Sequence, residues 1–204
     1  MLKIAEPAHK IFNTVIEKYH ILDTIEQDYP IDFPKEAPFS LLYQKCWIDT
    51  IQWHVEDLVR AQNIQPEKAL SYKRLIDKLN QERTDLVEKI DDYFVIYFKD
   101  TQPKTEAKIN TESPAWAIDR LSILSLKIYH MNIEANRKEI DENKKNLCQK
   151  KLELLRDQMK DLSQSIDELL EDIASGNKKM RVYRQHKMYN DPELNPVLYN
   201  SNNK

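Results

Sequence analysis

The chain has 204 residues, enough to bury one sizeable hydrophobic core or two small ones. Its formal net charge of -3 gives no general attraction to nucleic acid or to anionic lipid. A single glycine excludes phosphate-binding glycine loops and dinucleotide fingerprints, which need several. No stretch approaches the length of an apolar membrane span, and the two cysteines suit a reducing compartment. We therefore expect a cytoplasmic protein that is not membrane-bound.

Five helices are predicted, because prolines and the one glycine bound long intervals in which apolar residues recur at helical spacing. Pro66, and Pro114 after Ser113, are typical helix starts, since proline lacks the amide that would be unpaired there. Gly176 stands where a helix-ending residue with positive φ belongs. The predicted helices cover about residues 7–21, 39–62, 66–98, 114–137 and 142–175, with a loop at 99–112 and a tail at 177–204.

The predicted fold is a single all-α domain over residues 1–204. The last two of the five helices are long and joined by a short connection, so we expect an antiparallel helical hairpin that extends beyond the bundle. The fifth helix has about three heptads of apolar residues, a pattern typical of coiled coils. The tail is expected to fold back over the bundle as a clamp.

Polar residues fall on the apolar faces of three predicted helices. On the second helix Trp47 and Val55 mark the buried direction, with His54 in the same sector. Four polar residues of that helix are predicted to face solvent: Lys45, Asp49, Gln52 and Glu56. Arg83 lies at the centre of the apolar stripe of the third helix. The fourth helix is apolar nearly all round, yet it contains Asp119, Arg120, Lys127 and His130.

A buried arginine needs a carboxylate partner, because an unpaired ion in the interior costs several kcal/mol. We expect Arg83 to pair with Asp57 or Asp119. The resulting site hypothesis assigns His54 and Asp57 as catalytic residues, His54 acting as general base if there is a reaction. The predicted ligand-binding residues are Asn80, Arg83, Asp119, Arg120 and His130. The ligand would be an anionic or phosphorylated small molecule held between the second, third and fourth helices.

Two alternatives remain open. The same polar cluster can be a structural ion-pair network in a partner-binding module without catalysis. The acids Glu82, Asp85, Glu88 and Asp91 also have the spacing found in metal-dependent all-α nucleotide pyrophosphohydrolases. Helical rotation argues against that enzyme, because Asp85 and Glu56 are predicted to point to solvent. No metal-ligating residue and no cofactor is assigned.

The tail combines cations with aromatic residues. Five cations and no acid occur from Lys178 to Lys187, beside Tyr183 and Tyr189. We favour a clamp in which the cations offset the acidic fifth helix and apolar residues cover the bundle: Val182, Met188, Tyr189, Leu194, Val197 and Leu198. The basic tail or the helical hairpin can also meet a protein partner; nucleic acid is not the expected partner.

The chain resembles a bacterial family known as domain of unknown function 4254. The resemblance runs nearly end to end and rests on five stretches: WIDTIQWHVEDLVR (47–60), LIDKLNQERTDLVEKID (75–91), ESPAWAIDRLSILSLKIYHM (112–131), SIDELLEDI (165–173) and YRQHKMYNDPELNPVLY (183–199). It implies a bacterial cytosolic protein, and it implies no activity, cofactor or catalytic residue. The stretches contain every residue of the predicted site.

Overall fold

The computed structural model describes residues 2–30, 34–188 and 191–201, and almost all of the regular structure is helical. The prediction of an all-α bundle is confirmed. Six helices and two very short strands occur in the described residues. In chain order they are α1 (Ala5–Leu22), α2 (Phe39–Val59), α3 (Pro66–Tyr97), β1 (Lys108–Ile109), α4 (Pro114–Asn136), α5 (Glu142–Ala174), β2 (Lys178–Lys179) and α6 (Pro196–Ser201).

Local signals set the helix ends. α3 begins at Pro66 and α4 at Pro114, as the proline pattern predicts. The Ser113 hydroxyl accepts a hydrogen bond from the Trp116 amide at 3.4 Å, which satisfies one of the free donors of the first turn. Gly176 follows α5 with φ 73°, and its amide donates to the Ile173 carbonyl. The predicted role of this glycine is therefore confirmed.

α4 and α5 form the predicted antiparallel hairpin. Leu124 lies near Leu162, whereas Met131, two turns further along α4, lies near Leu155. The buried side chains of α5 include four spaced seven residues apart: Leu152, Met159, Ile166 and Ile173. One seam of α5 therefore packs against the bundle while its other faces stay polar.

α2 lies among three other helices, packing against α1 and α3 and contacting α4. α1 packs against α2, α4 and α5, and its beginning is fixed by α5. The Oδ1 atom of Asp167 accepts hydrogen bonds from the Ile4 amide at 3.0 Å and the Ala5 amide at 3.1 Å. A carboxylate of one helix thus satisfies the positive N-terminus of another.

The 99–112 segment is not wholly irregular, contrary to prediction. It contains β1, which pairs in parallel with β2 so that Lys108 faces Lys178 and Ile109 faces Lys179. The Gly176 carbonyl accepts from the Lys104 amide at 2.9 Å beside this pair. Hydrogen bonds therefore join the segment before α4 to the segment that follows α5.

The tail contacts both α5 and α3, so the predicted charge partner is only partly correct. Lys178 Nζ lies 3.9 Å from Asp172 Oδ2 of α5, whereas the cations further along the tail contact α3. Arg184 forms ion pairs with Glu88, at 3.3 Å, and with Asp92. Lys187 donates to the Asn80 backbone carbonyl at 2.8 Å. Most of the apolar side chains expected to cover the bundle are exposed, namely Met188, Leu194, Val197 and Leu198. Tyr189 lies outside the described residues.

None of the described helices combines the length and the apolar character needed to cross a membrane.

Candidate functional site

Four charged side chains from α2, α3 and α4 meet inside the bundle, and we call them the buried charge cluster: Lys45, Asp49, Arg83 and Asp119. The side chains of Lys45 and Asp49 are 1% and 0% exposed, and that of Asp119 is 6% exposed. Arg83 is 25% exposed and is the member that reaches solvent. The cluster contains two cations and two carboxylates, so its formal charges balance.

Asp119 is the central acceptor of the buried charge cluster. Arg83 donates to both of its carboxylate oxygens, from Nε to Oδ1 at 2.9 Å and from Nη2 to Oδ2 at 2.5 Å. Lys45 Nζ lies 2.8 Å from Oδ1 and also donates to the Asp119 backbone carbonyl at 3.2 Å. This two-pronged geometry orients the guanidinium plane as well as neutralising the carboxylate. The predicted pairing of Arg83 with Asp119 is confirmed.

Asp49 is held differently. Its Oδ2 atom accepts from Lys45 Nζ at 2.5 Å and from the Ser122 hydroxyl at 2.6 Å. Its Oδ1 atom lies 3.3 Å from Arg83 Nε, but that nitrogen directs its hydrogen toward Asp119. The contact is thus an ion pair without a hydrogen bond, and Oδ1 is a buried acceptor without a hydrogen-bond donor among the described residues.

The two carboxyl groups have pKa values shifted in opposite directions. Burial, opposed only in part by Lys45, raises the pKa of Asp49. Burial acts on Asp119 in the same sense, but Lys45 and the hydrogen bonds from Arg83 outweigh it and lower the pKa of Asp119. Asp119 is therefore the carboxylate that stays ionised, and Asp49 is the member that takes up a proton more readily.

Two cavities flank Arg83. The α2–α3 cavity, with a volume of about 460 Å³, is lined by Asp49, Gln52, Trp53, Glu56, Asp57, Arg60, Arg83 and Ile123. The α4–α5 cavity, with a volume of about 640 Å³, is lined by Arg83, Asp119, Arg120, Ile123, Leu124, Lys127, Gln158, Asp161, Leu162 and Ser165. Both volumes lie within the range of small-molecule sites.

Three imidazoles from three helices form a second polar group, which we call the histidine cluster: His20 of α1, His54 of α2 and His130 of α4. One ring nitrogen of each lies within 4.8 Å of one from both others. The Nε2 atoms of His20 and His54 are 3.2 Å apart. Aromatic neighbours hold two of the rings, since Tyr19 stacks on His54 and Trp53 stacks on His130.

The histidine cluster favours neutral imidazoles. Burial lowers the pKa of His54, and the proximity of His20 lowers it further. Burial, followed by His20 and His54, lowers the pKa of His130 to about 4. Asp23 and Asp57 are the nearby carboxylates that oppose these shifts, and Asp23 Oδ1 lies 3.7 Å from His54 Nε2. At neutral pH His54 and His130 therefore present lone pairs and N–H groups instead of positive charge.

Residues 39–182 match a family model described as Protein of unknown function (DUF4254). The chain belongs to this family. The match includes the whole buried charge cluster together with His54 and His130 of the histidine cluster. His20 lies outside the matched range, as does the 183–199 stretch over which we expected the resemblance to continue. No curated protein and no solved structure matches the chain significantly.

The structure of this DUF4254 chain divides the predicted site between two clusters. Arg83 and Asp119 belong to the buried charge cluster, whereas His54 and His130 belong to the histidine cluster and contact each other. Asn80 lies beside the first cluster, where its side-chain oxygen accepts from Gln52 at 3.3 Å. The single site expected from the sequence is thus two neighbouring arrangements.

The other two predicted site residues are more exposed than expected. Asp57 has 62% of its side chain exposed and pairs with Arg60 at 3.2 Å, so of the two predicted partners of Arg83 it is Asp119 and not Asp57 that forms the pair. Arg120 is 64% exposed and pairs with Glu112, although it does line the α4–α5 cavity. The apolar residues on either side of Arg120 in α4 suggested that it is buried, but its side chain lies at the solvent-exposed edge of the α4–α5 cavity.

Sequence reasoning missed Lys45, Asp49 and His20. The expectation that Lys45 and Asp49 face solvent is wrong, because α2 is covered by α1 on one side and by α3 and α4 on the other. Their four-residue spacing was visible, but exposed helical ion pairs have the same spacing. For His20 no local signal existed, since its partners are 34 and 110 positions away along the chain.

The acids of α3 do not converge as a magnesium-dependent pyrophosphohydrolase requires. Asp85 is exposed and accepts from Gln81, and Glu88 pairs with Arg184 of the tail. Asp91 is buried and accepts from the Ser113 hydroxyl at 2.8 Å, and burial raises its pKa to about 6. Among the described residues, the group with metal-ligand spacing is the histidine cluster and not these carboxylates.

Proposed function

We propose that this protein binds an anionic small molecule, of the size of a phosphorylated metabolite, in the α4–α5 cavity. The observation that carries the proposal is the set of three cations around one cavity, namely Arg83, Arg120 and Lys127. A volume of about 640 Å³ suits a ligand of that size.

By formal charge, the lining of this cavity has three cations and two carboxylates, which favours an anion. The carboxylates are Asp161 and Asp119, which is already paired with Lys45 and Arg83; among the cations, Arg120 also pairs with Glu112. Arg83 uses Nε and Nη2 on Asp119, so its Nη1 edge carries none of these contacts. A guanidinium fixed in this way offers planar donors to a phosphate or carboxylate without losing further side-chain entropy.

The α4–α5 hairpin supplies the remaining recognition groups. Arg120 and Lys127 are exposed cations two turns apart on α4, and Gln158 and Ser165 are uncharged polar residues across from them on α5. Leu124 and Leu162 provide an apolar floor for the uncharged part of a ligand. His54 does not line this cavity, so the proposal assigns it no catalytic step.

Thermal stabilisation by inorganic phosphate, pyrophosphate, AMP and glucose 6-phosphate tests the proposal at fixed ionic strength. At a hundred times its Kd a specific ligand stabilises the fold by about 2.7 kcal/mol, so Tm should rise by about 5–10 °C. Arg120→Gln combined with Lys127→Gln should abolish this rise and leave the fold intact, because both side chains are exposed. Lys150→Gln on α5, an exposed lysine outside the cavity, is the matched control.

Two results would overturn the proposal: no probe raises the Tm of the unchanged protein, or the double variant retains the full rise. In either case the alternative of a partner-binding helical module gains support. The internal pairing of the buried charge cluster favours that alternative, because a charge-balanced interior cluster fixes helix register without any ligand.

A further inference from the structure

We propose that the histidine cluster is a binding site for a divalent transition-metal ion, with Zn²⁺ as the best match. The ligands would be one ring nitrogen each from His20, His54 and His130. This site is separate from the α4–α5 cavity, and it goes beyond the anion-binding function proposed above.

The hydrogen bond of His20 sets its tautomer. Its Nδ1 atom lies 2.6 Å from the Ile16 backbone carbonyl. A carbonyl oxygen only accepts, so Nδ1 carries the proton and Nε2 presents its lone pair to the cluster. A backbone carbonyl that accepts from the far nitrogen is one of the usual partners of metal-ligating histidines.

Hydrogen bonds within the chain do not satisfy all the ring nitrogens of the histidine cluster. His54 Nε2 is able to donate to His20 Nε2, which accounts for two of the three rings. His130 Nε2 is buried and has no hydrogen-bond partner among the described residues. An unsatisfied buried polar atom costs about 1–3 kcal/mol. A metal ion bound between the rings would give a partner to the ring nitrogen of each histidine that faces it.

One nitrogen–nitrogen distance already fits a tetrahedral ion, and the third nitrogen lies near enough to join it by a small ring movement. Two nitrogens bound to zinc at 2.0–2.1 Å and at a tetrahedral angle lie about 3.3–3.4 Å apart. The His20 and His54 Nε2 atoms are 3.2 Å apart, and the third ligand nitrogen lies within 4.8 Å of both. Three imidazole ligands with one open coordination position are typical of zinc. Asp23, whose side chain is 57% exposed, is near enough to supply the fourth ligand.

The surroundings hold the rings in place. Tyr19 stacks on His54 with ring centroids 5.0 Å apart, and Trp53 lies parallel to His130 at 4.8 Å. Tyr129 contacts His20 at 4.3 Å between ring centroids. These contacts reduce the side-chain freedom that the histidines lose on binding an ion, which favours affinity.

Zn²⁺ and Co²⁺ titrations of the full chain test the proposal. We expect one Zn²⁺ per chain, a Tm rise that a chelator reverses, and visible absorption bands of four-coordinate Co²⁺. His20→Gln, His54→Gln and His130→Gln should each weaken Zn²⁺ binding by about tenfold or more, since even outer contacts of metal sites have effects of that size. The matched controls are His9→Gln and His186→Gln, the two histidines outside the cluster.

A measurement on the unchanged protein avoids reliance on variants that fail to fold. Nitrogen NMR shifts of the five histidines, followed during the Zn²⁺ titration, should change for His20, His54 and His130 and not for His9 or His186. The proposal is overturned if the unchanged protein takes up no Zn²⁺ or Co²⁺. It is equally overturned if the shifts occur at His9 or His186, or if folded variants of the cluster keep full affinity.

Discussion

Lys45 shows how one buried side chain controls the charge balance of the interior. Its ammonium group contacts the carboxylates of both Asp49 and Asp119, and almost none of it reaches solvent. Without it, Arg83 alone would face two buried carboxylates, one of which already has a raised pKa. A charge left without its partner in the interior costs far more than the intact pair contributes.

Replacing Lys45 by methionine should therefore lower the free energy of unfolding by about 3–5 kcal/mol, measured by urea denaturation. Adding Asp49→Leu should recover much of the loss, because Arg83 and Asp119 then remain as a one-to-one pair. Lys73→Met is the matched control: that lysine pairs with Asp77 on the surface and should change stability by less than about 1 kcal/mol. Equal losses in both single variants would contradict a special role for the buried lysine.

For single residues, the sequence allowed part of the buried charge cluster to be predicted. An arginine at the centre of an apolar stripe needs a carboxylate, and Asp119 is that carboxylate. Lys45 and Asp49 were placed in solvent because rotation about one helix axis assumes a single buried face. α2 has two, and only the positions of its neighbours reveal the second.

Helix ends are the elements that local sequence determines best, because their chemistry lies within a few residues. Pro66, Pro114 and Gly176 each act at the position where their backbone geometry is required. β1 and β2 could not be predicted in the same way. Each strand has two residues, and the paired residues are 70 positions apart in the chain, so no hydrophobic periodicity in the sequence indicates them.

Gly176→Ala should lower the free energy of unfolding by about 1–3 kcal/mol, the cost of strained backbone. Its φ is 73°, and an added Cβ would lie 2.7 Å from the Gln102 carbonyl oxygen. Gly176→Asn tolerates positive φ but meets the same oxygen, so it should rescue little of the loss. Ser175→Ala, the neighbouring C-cap position, should change stability by less than about 0.5 kcal/mol. Full rescue by asparagine would mean that φ alone matters.

The molecule as a whole is a bundle to which the tail is attached by polar contacts. Arg184 joins residues 181–188 to two acids of α3, and the Gln185 amide donates to Glu88 Oε1 at 2.9 Å. The apolar side chains nearby stay largely exposed, so these polar contacts have little hydrophobic burial to support them. The sequence indicated a basic tail that folds back, but its charge led us to expect α5 as the acceptor, whereas Arg184 pairs with α3.

Arg184→Gln should release this segment from α3, and hydrogen exchange at the Gln185 amide should become faster. The matched control is Arg181→Gln, an exposed arginine at the start of the segment. Neither variant should change the global unfolding transition measurably, because exposed ion pairs contribute little. Unchanged exchange in Arg184→Gln would show that other contacts hold the tail.

The Asp167 carboxylate that receives the Ile4 and Ala5 amides has a consequence for the order of events during synthesis. The residues are more than 160 positions apart in the chain. The Asp167 carboxylate can therefore accept from the two amides of α1 only after α5 has left the ribosome. Until then the apolar side of α1 has only α2 and α4 to cover it. A nascent chain stalled before residue 167 is therefore expected to expose more of the apolar side of α1 than the full chain does.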